Sequence, residues 1–348
     1  MPVKIRTRHI NLAALSLLTF AATTQAQAIV LEHKWQAGQQ LPYAMTLKGN
    51  LSGETNASWA GPLSGVPVDI AVDGNGRWIL NTLSVDDKGN GTVQFQIPQL
   101  SVAANAWGMG ATLKIEKGQA TASLNGAPGK KFDVSKWTNS SNALVISRNA
   151  QVQSVAPAAT KTSSTQTSST RCDETTSTYA ATSTATSSAA QNMNDLARLM
   201  PQWWPGRDIS TGESWTIDAT MPLGTEANAP QLSVGSFTLK LQNEEFLAGR
   251  TVQRVVVNGL IEISGEKAQA INAAAKMKNA NAPRVISSTK NISGDILFDA
   301  SLGQIARAAF KVVSKDELRG TTPASEKKAA SNWTLKHGFN GNIGLQQQ

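Results

Sequence analysis

Few of the side chains that build catalytic and redox sites occur in this chain of 348 residues. Cys172 is its single cysteine, so an intramolecular disulfide is impossible and stability must come from packed cores. Only His33 and His337 lie beyond the first 28 residues, and the chain has no G-x-S-x-G, H-x-x-x-H or C-x-x-C motif. The sequence therefore predicts a non-enzymatic protein with no catalytic residue, no metal site and no cofactor. Both histidines are expected to be solvated at strand ends.

Paired carboxylates are the remaining candidates for acid–base chemistry. Asp295 with Asp299, and Glu244 with Glu245, are close enough in sequence to be considered. The stretch GDILFDASLGQI nevertheless favours a hairpin, in which Asp299 caps a turn and Gly303 supplies the positive φ. We therefore predict that Asp299 is a turn residue.

Positive charge is in mild excess and is spread along the chain. The net charge is +8, and removal of an N-terminal segment with three positive groups leaves +5. No run of lysine and arginine reaches the density of a nucleic-acid footprint. We therefore expect no nucleic-acid partner.

The first 28 residues have the pattern of a secretion signal peptide. Lys4, Arg6 and Arg8 precede an apolar run over 10–22, and Ala-Gln-Ala at 26–28 is the small-x-small pattern of a cleavage site. The apolar run is too short for a stable membrane anchor, and no later stretch approaches about 20 apolar residues. We expect an exported bacterial protein, periplasmic or extracellular, without a transmembrane segment after signal removal.

A segment rich in serine, threonine and alanine divides the rest of the chain. Residues 158–188 contain almost no large apolar side chain, so burial cannot offset the entropy of ordering them. This composition predicts a disordered linker, and an O-glycosylated stalk is the alternative. The predicted organisation is an N-terminal β domain at 29–157 and a C-terminal β domain at 189–348.

Apolar and polar residues alternate with a period of two through both predicted domains. Val68, Ile70 and Val72 alternate with polar or small residues, and DGNG at 73–76 then predicts a turn and a return strand. A second turn is predicted at 85–91. Short strands joined by tight turns favour an antiparallel meander. The predicted fold is mainly β, with two curved, half-barrel-like sheet domains and a few short helices.

Two segments have helical rather than strand character. Apolar residues at spacings of three and four predict an amphipathic helix over 189–200 that ends before Pro201. The composition of 266–283, rich in alanine and lysine, favours a second helix, so a helical or mobile insertion between strands is predicted there.

Tryptophan is enriched, with nine in the chain against two tyrosines. Most of them lie in predicted strands, where filling a core is the simpler role. Trp203 and Trp204 instead adjoin a Pro-Gly pair after the predicted helix over 189–200. An indole combines a large apolar surface with a polar N–H. We therefore predict a surface or domain-junction contact at these two residues.

The second predicted domain resembles a family of uncharacterised exported bacterial proteins. The resemblance rests on GESW at 212–215, the paired strands over 237–259, and SGDILFDASLGQI at 293–305. It implies export and an antiparallel sheet, and it provides no catalytic residue to transfer. More loosely, the predicted curved meander is similar to the half-barrels of periplasmic lipoprotein and lipid carriers.

These observations predict a cell-envelope protein without enzymatic activity. We expect it to bind an apolar small molecule, or an envelope protein, on a curved sheet. A structural or adhesive component and a hydrolase with an unrecognised carboxylate site are the open alternatives. A cleft with two facing carboxylates of raised pKa is the feature that distinguishes the hydrolase.

Overall fold

The computed structural model describes seven stretches of the chain, namely residues 28–57, 64–135, 142–157, 203–223, 230–278, 283–322 and 331–348. The predicted linker (158–188), the predicted helix over 189–200 and all but the last residue of the predicted signal lie outside them. These three features therefore stay predictions.

Strands account for most of the described residues, which confirms the predicted mainly β fold. They are β1 Ile29–Val30, β2 Gln40–Asn56, β3 Val68–Val85, β4 Gly91–Ala106, β5 Met109–Glu116, β6 Gln119–Leu124, β7 Ala127–Asp133, β8 Asn142–Ile146, β9 Val152–Pro157, β10 Asp208–Ile209, β11 Ser214–Pro222, β12 Gln231–Leu247, β13 Arg250–Ile263, β14 Arg284–Asp299, β15 Gln304–Thr322 and β16 Ser331–Gln347. The described residues form one helix, α1 Gly265–Lys278, which overlaps the predicted helical segment (266–283) and begins one residue before it.

Fourteen of the strands form one antiparallel sheet. Its main path runs β11-β12-β13-β14-β15-β16-β2-β3-β4-β5-β6-β7, and β8 pairs with both β4 and β9. The separate two-stranded sheet pairs β1 with β10. Strands from both predicted domains thus belong to the large sheet, which is continuous where β16 pairs with β2. The domain bounds themselves stay a prediction.

The predicted turn at DGNG is wrong, whereas the turn that follows it is confirmed. Strand β3 runs straight through Gly74 and Gly76. These glycines allow the neighbouring strands to approach closely, because they have no Cβ. A Cβ on Gly76 would lie 2.9 Å from the Gln99 carbonyl oxygen. The chain reverses only after Val85, where Asp86 accepts hydrogen bonds from the Lys88 and Asn90 backbone N–H groups at 2.9 and 2.8 Å.

The largest core lies on one side of strands β11 to β14. Side chains from these strands meet Ile209 of the small sheet, Leu31 and Trp204 from the segments next to it, and Ala268 of α1. The helix is fixed to β14 by Asn272, whose side chain bonds both the backbone N–H and the carbonyl of Val285, at 2.8 and 2.7 Å. The core and α1 therefore cover most of this side of β11 to β14.

Candidate functional site

The two faces of the large sheet differ in polarity. Residues directly opposite each other on antiparallel strands point to the same side, so the register groups side chains into rows. One row crosses β15, β16, β2, β3, β4 and β5 as Phe310, Ile343, Leu47, Gly74, Val102 and Leu113. One residue further along each strand, the row on the opposite side is Lys311, Asn342, Lys48, Asp73, Ala103 and Thr112. We call the side with the first row the apolar face and the other the polar face.

The apolar face continues on both sides of this first row. The row two residues away in one direction is Ala308, Leu345, Met45, Gly76, Leu100 and Ile115. The rows in the other direction include Phe339, Leu51 and Ile70, which lie opposite one another on β16, β2 and β3. The same pattern extends under the large core, where Leu239 and Val257 lie opposite each other on β12 and β13.

Cover on the apolar face ends near β15. Phe310 and Leu345 still pack against the large core. The central side chains beyond them belong to none of the buried clusters formed by the described residues, and they are half-exposed or, for Leu51, 40% exposed. Val72, between Ile70 and Gly74, is buried, and Leu80, Phe95 and Val93 belong to a small buried cluster at one end of this side of β3 and β4. We call this region the open apolar face, and its central residues are Ile343, Leu47, Leu51, Ile70, Val102 and Leu113. From strand and residue spacings it measures about 20 Å in each direction, or about 400 Å².

Glycines bring neighbouring strands close together beneath this face. Gly49 and Gly341 lie opposite each other on β2 and β16, and a Cβ on Gly49 would lie 2.6 Å from the Asn340 carbonyl oxygen. The ring of Phe339 lies over both glycines, within 2.9 Å of either added Cβ. Glycine at such positions marks a bend in a sheet. The close packing of strands here therefore depends on the absence of side chains at these two positions.

A polar row interrupts the apolar face. Ser288, Asp316 and His337 lie opposite one another on β14, β15 and β16. The Ser288 hydroxyl donates to Asp316 at 2.5 Å, and His337 Nδ1 lies 3.5 Å from the other oxygen of that carboxylate. The carboxylate thus lies between the hydroxyl and the imidazole. The serine donates its proton to Asp316 and not to His337, so the row does not have the order of a Ser-His-Asp site.

A charged groove of about 360 Å³ is lined by residues of β2, β3, β14, β15 and β16. Four acidic side chains line it, namely Glu54, Asp69, Asp316 and Glu317. The register places Lys336 between Glu54 and Glu317, directly opposite each. Opposite charges at cross-strand positions stabilise a sheet, so a structural role accounts for this arrangement.

The predicted turn role of Asp299 is confirmed. Its side chain is fully buried and accepts hydrogen bonds from the Ser301 hydroxyl at 2.5 Å and the Leu302 backbone N–H at 3.0 Å. Gly303, with φ of 66°, donates its N–H to the Asp299 carbonyl at 2.8 Å. Arg250 lies 3.4 Å from the carboxylate. The acid is thus held by the hairpin that it closes.

The other paired acids also have structural partners. Arg254 bridges Asp295 at 2.9 Å and Glu245 at 3.1 Å. Glu244 accepts a hydrogen bond from the Gln253 side chain at 2.7 Å. The two acids of each pair therefore contact different partners, and their carboxylates do not face a common point.

His33 is buried, so the prediction that it is solvated is wrong. It is 9% exposed, and its ring stacks on Trp35 with centroids 4.7 Å apart and meets the Phe298 ring edge-on at 5.7 Å. Its Nδ1 donates to the Gly303 carbonyl oxygen at 3.1 Å. Burial lowers the pKa of His33 to about 4, although the hydrogen bond to Gly303 raises it in part. No periodic pattern in the segment before β2 indicated this environment.

The two tryptophans that were predicted to make a contact differ in burial. Trp204 is 1% exposed and packs against Phe298 with ring centroids 4.8 Å apart. Its backbone N–H donates to the Asn149 carbonyl, so it joins segments from both predicted domains. Trp203 is half-buried, and its carbonyl accepts the indole N–H of Trp215 at 3.0 Å. Trp204 is thus a core residue, and the predicted surface or domain-junction contact at Trp203 and Trp204 stays a prediction.

Metal-ligating side chains do not cluster among the described residues in groups of three or more. None of the helices in the described stretches is long and apolar enough to cross a membrane. Comparison with protein-family models, curated proteins and solved structures finds no match for this chain. The resemblance to a family of exported bacterial proteins therefore stays a prediction.

Proposed function

We propose that this is an exported, non-enzymatic protein that holds an apolar ligand on the open apolar face of its sheet. The observation that supports the proposal is a continuous set of half-exposed leucine, isoleucine, valine and phenylalanine side chains outside the buried clusters of the described residues. An area of about 400 Å² falls in the range of the largest apolar patches on soluble proteins, which are often binding sites.

The area sets an upper limit on the hydrophobic gain from binding. About 400 Å² is the footprint of the face, and most of its side chains are already partly buried, so a ligand gains less than about 10 kcal/mol before the cost of association is subtracted. An elongated apolar molecule matches a shallow, extended surface better than a compact one. The polar face cannot provide an equivalent surface, because the row behind Leu47 and Val102 carries lysine, asparagine and aspartate side chains.

A pair of substitutions on β5 tests the proposal. Leu113 and Thr112 are adjacent and both half-exposed, but they point to the apolar and the polar face respectively. Leu113→Asp places a carboxylate on the binding surface, so it should weaken binding of the neutral dye Nile red at least about tenfold. Thr112→Asp adds the same charge on the other side and should leave binding unchanged. The measurement is a fluorescence titration.

Native mass spectrometry with lipid extraction, on protein purified from its own host, identifies the ligand. An extracted apolar molecule that is lost in Leu113→Asp and retained in Thr112→Asp supports the proposal. If the unaltered protein neither carries an apolar molecule nor binds the dye, the ligand-binding function is refuted. In that case a structural or adhesive role in the envelope becomes the better explanation.

A further inference from the structure

One charged residue stands among the uncharged rows of the apolar face. Lys290 of β14 lies opposite Ser314 of β15, and the row continues with Phe339, Leu51 and Ile70. The polar row of Ser288, Asp316 and His337 lies on one side of Lys290. On the other side, the next three rows contain no charged residue at their paired positions from β13 to β6. Lys290 is thus the point where the open apolar face carries a positive charge.

The described surroundings of Lys290 provide no partner for its charge. The residue is half-buried, and Ile261 lies opposite it on β13. Among the described residues no carboxylate lies within ion-pair distance of its ammonium. A partly desolvated cation is costly unless it is paired or reaches water. An anion that is held beside the apolar surface would provide the missing partner.

We propose that the ligand is a long-chain carboxylic acid, with its carboxylate bound by Lys290 and its chain lying on the open apolar face. This inference rests on the proposed function and specifies its ligand. The ammonium can donate to a carboxylate oxygen, and the Ser314 hydroxyl opposite it can donate a second hydrogen bond. From Lys290 the chain can follow the row through Phe339 and Leu51 to Ile70 and onto β4 and β5.

The charge around Lys290 favours a monoanion over a dianion. Asp316 belongs to the neighbouring row of the same face, diagonal to Lys290, and is already bound by Ser288. A second negative charge on the ligand would be repelled by this carboxylate without gaining another cation. A fatty-acid carboxylate therefore fits the site better than a phosphate monoester.

The test compares palmitic acid with methyl palmitate, which has the same chain and no charge. Displacement of Nile red from the unaltered protein at neutral pH should show that the acid binds about tenfold more tightly. Lys290→Gln should abolish this preference by weakening only the acid, and Lys290→Arg should restore it. Lys311→Gln is the matched control, because Lys311 lies on the polar face of the adjacent strand and is exposed.

The outcomes separate the two proposals. Equal binding of acid and ester, or a preference that survives Lys290→Gln, overturns the role of Lys290 but leaves an apolar binding face. Failure of both probes to bind refutes the proposed function and this inference with it. Vesicles of phosphatidylglycerol form a third arm. If they displace the dye more effectively than palmitic acid in a Lys290-dependent way, a phospholipid and not a fatty acid is the ligand.

Discussion

The burial of His33 predicts that the protein loses stability as the pH falls from about 6.5 to about 4. An unfolded chain has an ordinary imidazole, with a pKa of 6.5, whereas the folded protein holds it at about 4. Between these values the unfolded state binds more protons, so acid favours unfolding. The burial of neutral His33 contributes its full stability above pH 6.5. Relative to that value, the free energy of unfolding falls by about 2 kcal/mol at pH 5 and by about 3 kcal/mol at pH 4.

The source of the cost is the packing around the ring. A charged imidazolium at this position would be surrounded by Trp35, Trp204 and Phe298, with the Gly303 carbonyl as its one polar partner in the described structure. The nearby ion pair between Glu32 and Arg148 is at least partly exposed. It gives little compensation, because solvent screens its charges.

Urea denaturation between pH 7 and pH 4 measures the effect on the unaltered protein and on His33→Gln. Glutamine retains a donor for the Gly303 carbonyl and does not titrate. His33→Gln should be less stable at pH 7, but its free energy of unfolding should fall by about 3 kcal/mol less over this range. Carboxylates such as Asp86 and Glu213, whose pKa values are lowered by hydrogen bonds, also reduce stability in acid, and the comparison removes their contribution. Parallel pH profiles for the two proteins would refute the reasoning. His337→Gln, on an exposed side chain, is the control.

Two further predictions concern the sheet itself. Gly49→Val should reduce the free energy of unfolding by about 1–3 kcal/mol, because its Cβ would lie 2.6 Å from the neighbouring strand's backbone. Gly53→Val is the control on the same strand and face, since its Cβ would come no closer than 3.9 Å to any neighbour, and equal losses would contradict the argument. Asp299→Ala should cost about 1–3 kcal/mol, because it leaves buried donors of the hairpin turn unpaired. Ser301→Ala removes only one of those donors, so a greater loss from Ser301→Ala than from Asp299→Ala would contradict the turn role.

The strands and one hairpin were predictable because their signals are local. Alternation around Val68 to Val72 requires only neighbouring residues, and the Asp299–Gly303 turn has its chemistry within one short stretch. Glycine was ambiguous, since the same residue that permits a turn also permits a bend within a strand. Gly74 and Gly76 were therefore interpreted as a turn, although they lie inside β3.

The candidate site was not predictable residue by residue, because it depends on register between distant segments. Leu47 meets Ile343 only because β2 pairs with β16, nearly the whole chain apart. The alternation predicts that each strand has an apolar side, but not that all these sides coincide. The burial of His33 has a similar cause, since its contacts come from Phe298 and Trp204, which are remote in sequence.

The open apolar face differs from the core in cover and not in pattern. Under the large core, Leu239 and Val257 are fully buried because Leu31, Trp204 and α1 lie over that side of the sheet. The same alternation continues beyond β15, where a small cluster around Val93 is buried but the described residues provide no such cover over the open apolar face. Half-exposed apolar side chains are only partly shielded from water, so they stabilise the fold less than fully buried ones and favour aggregation. Polar residues at these positions would avoid that risk, so the apolar surface left in contact with water is consistent with the proposed ligand. The proposed ligand would cover this surface during function, and Lys290 would bind its negative charge.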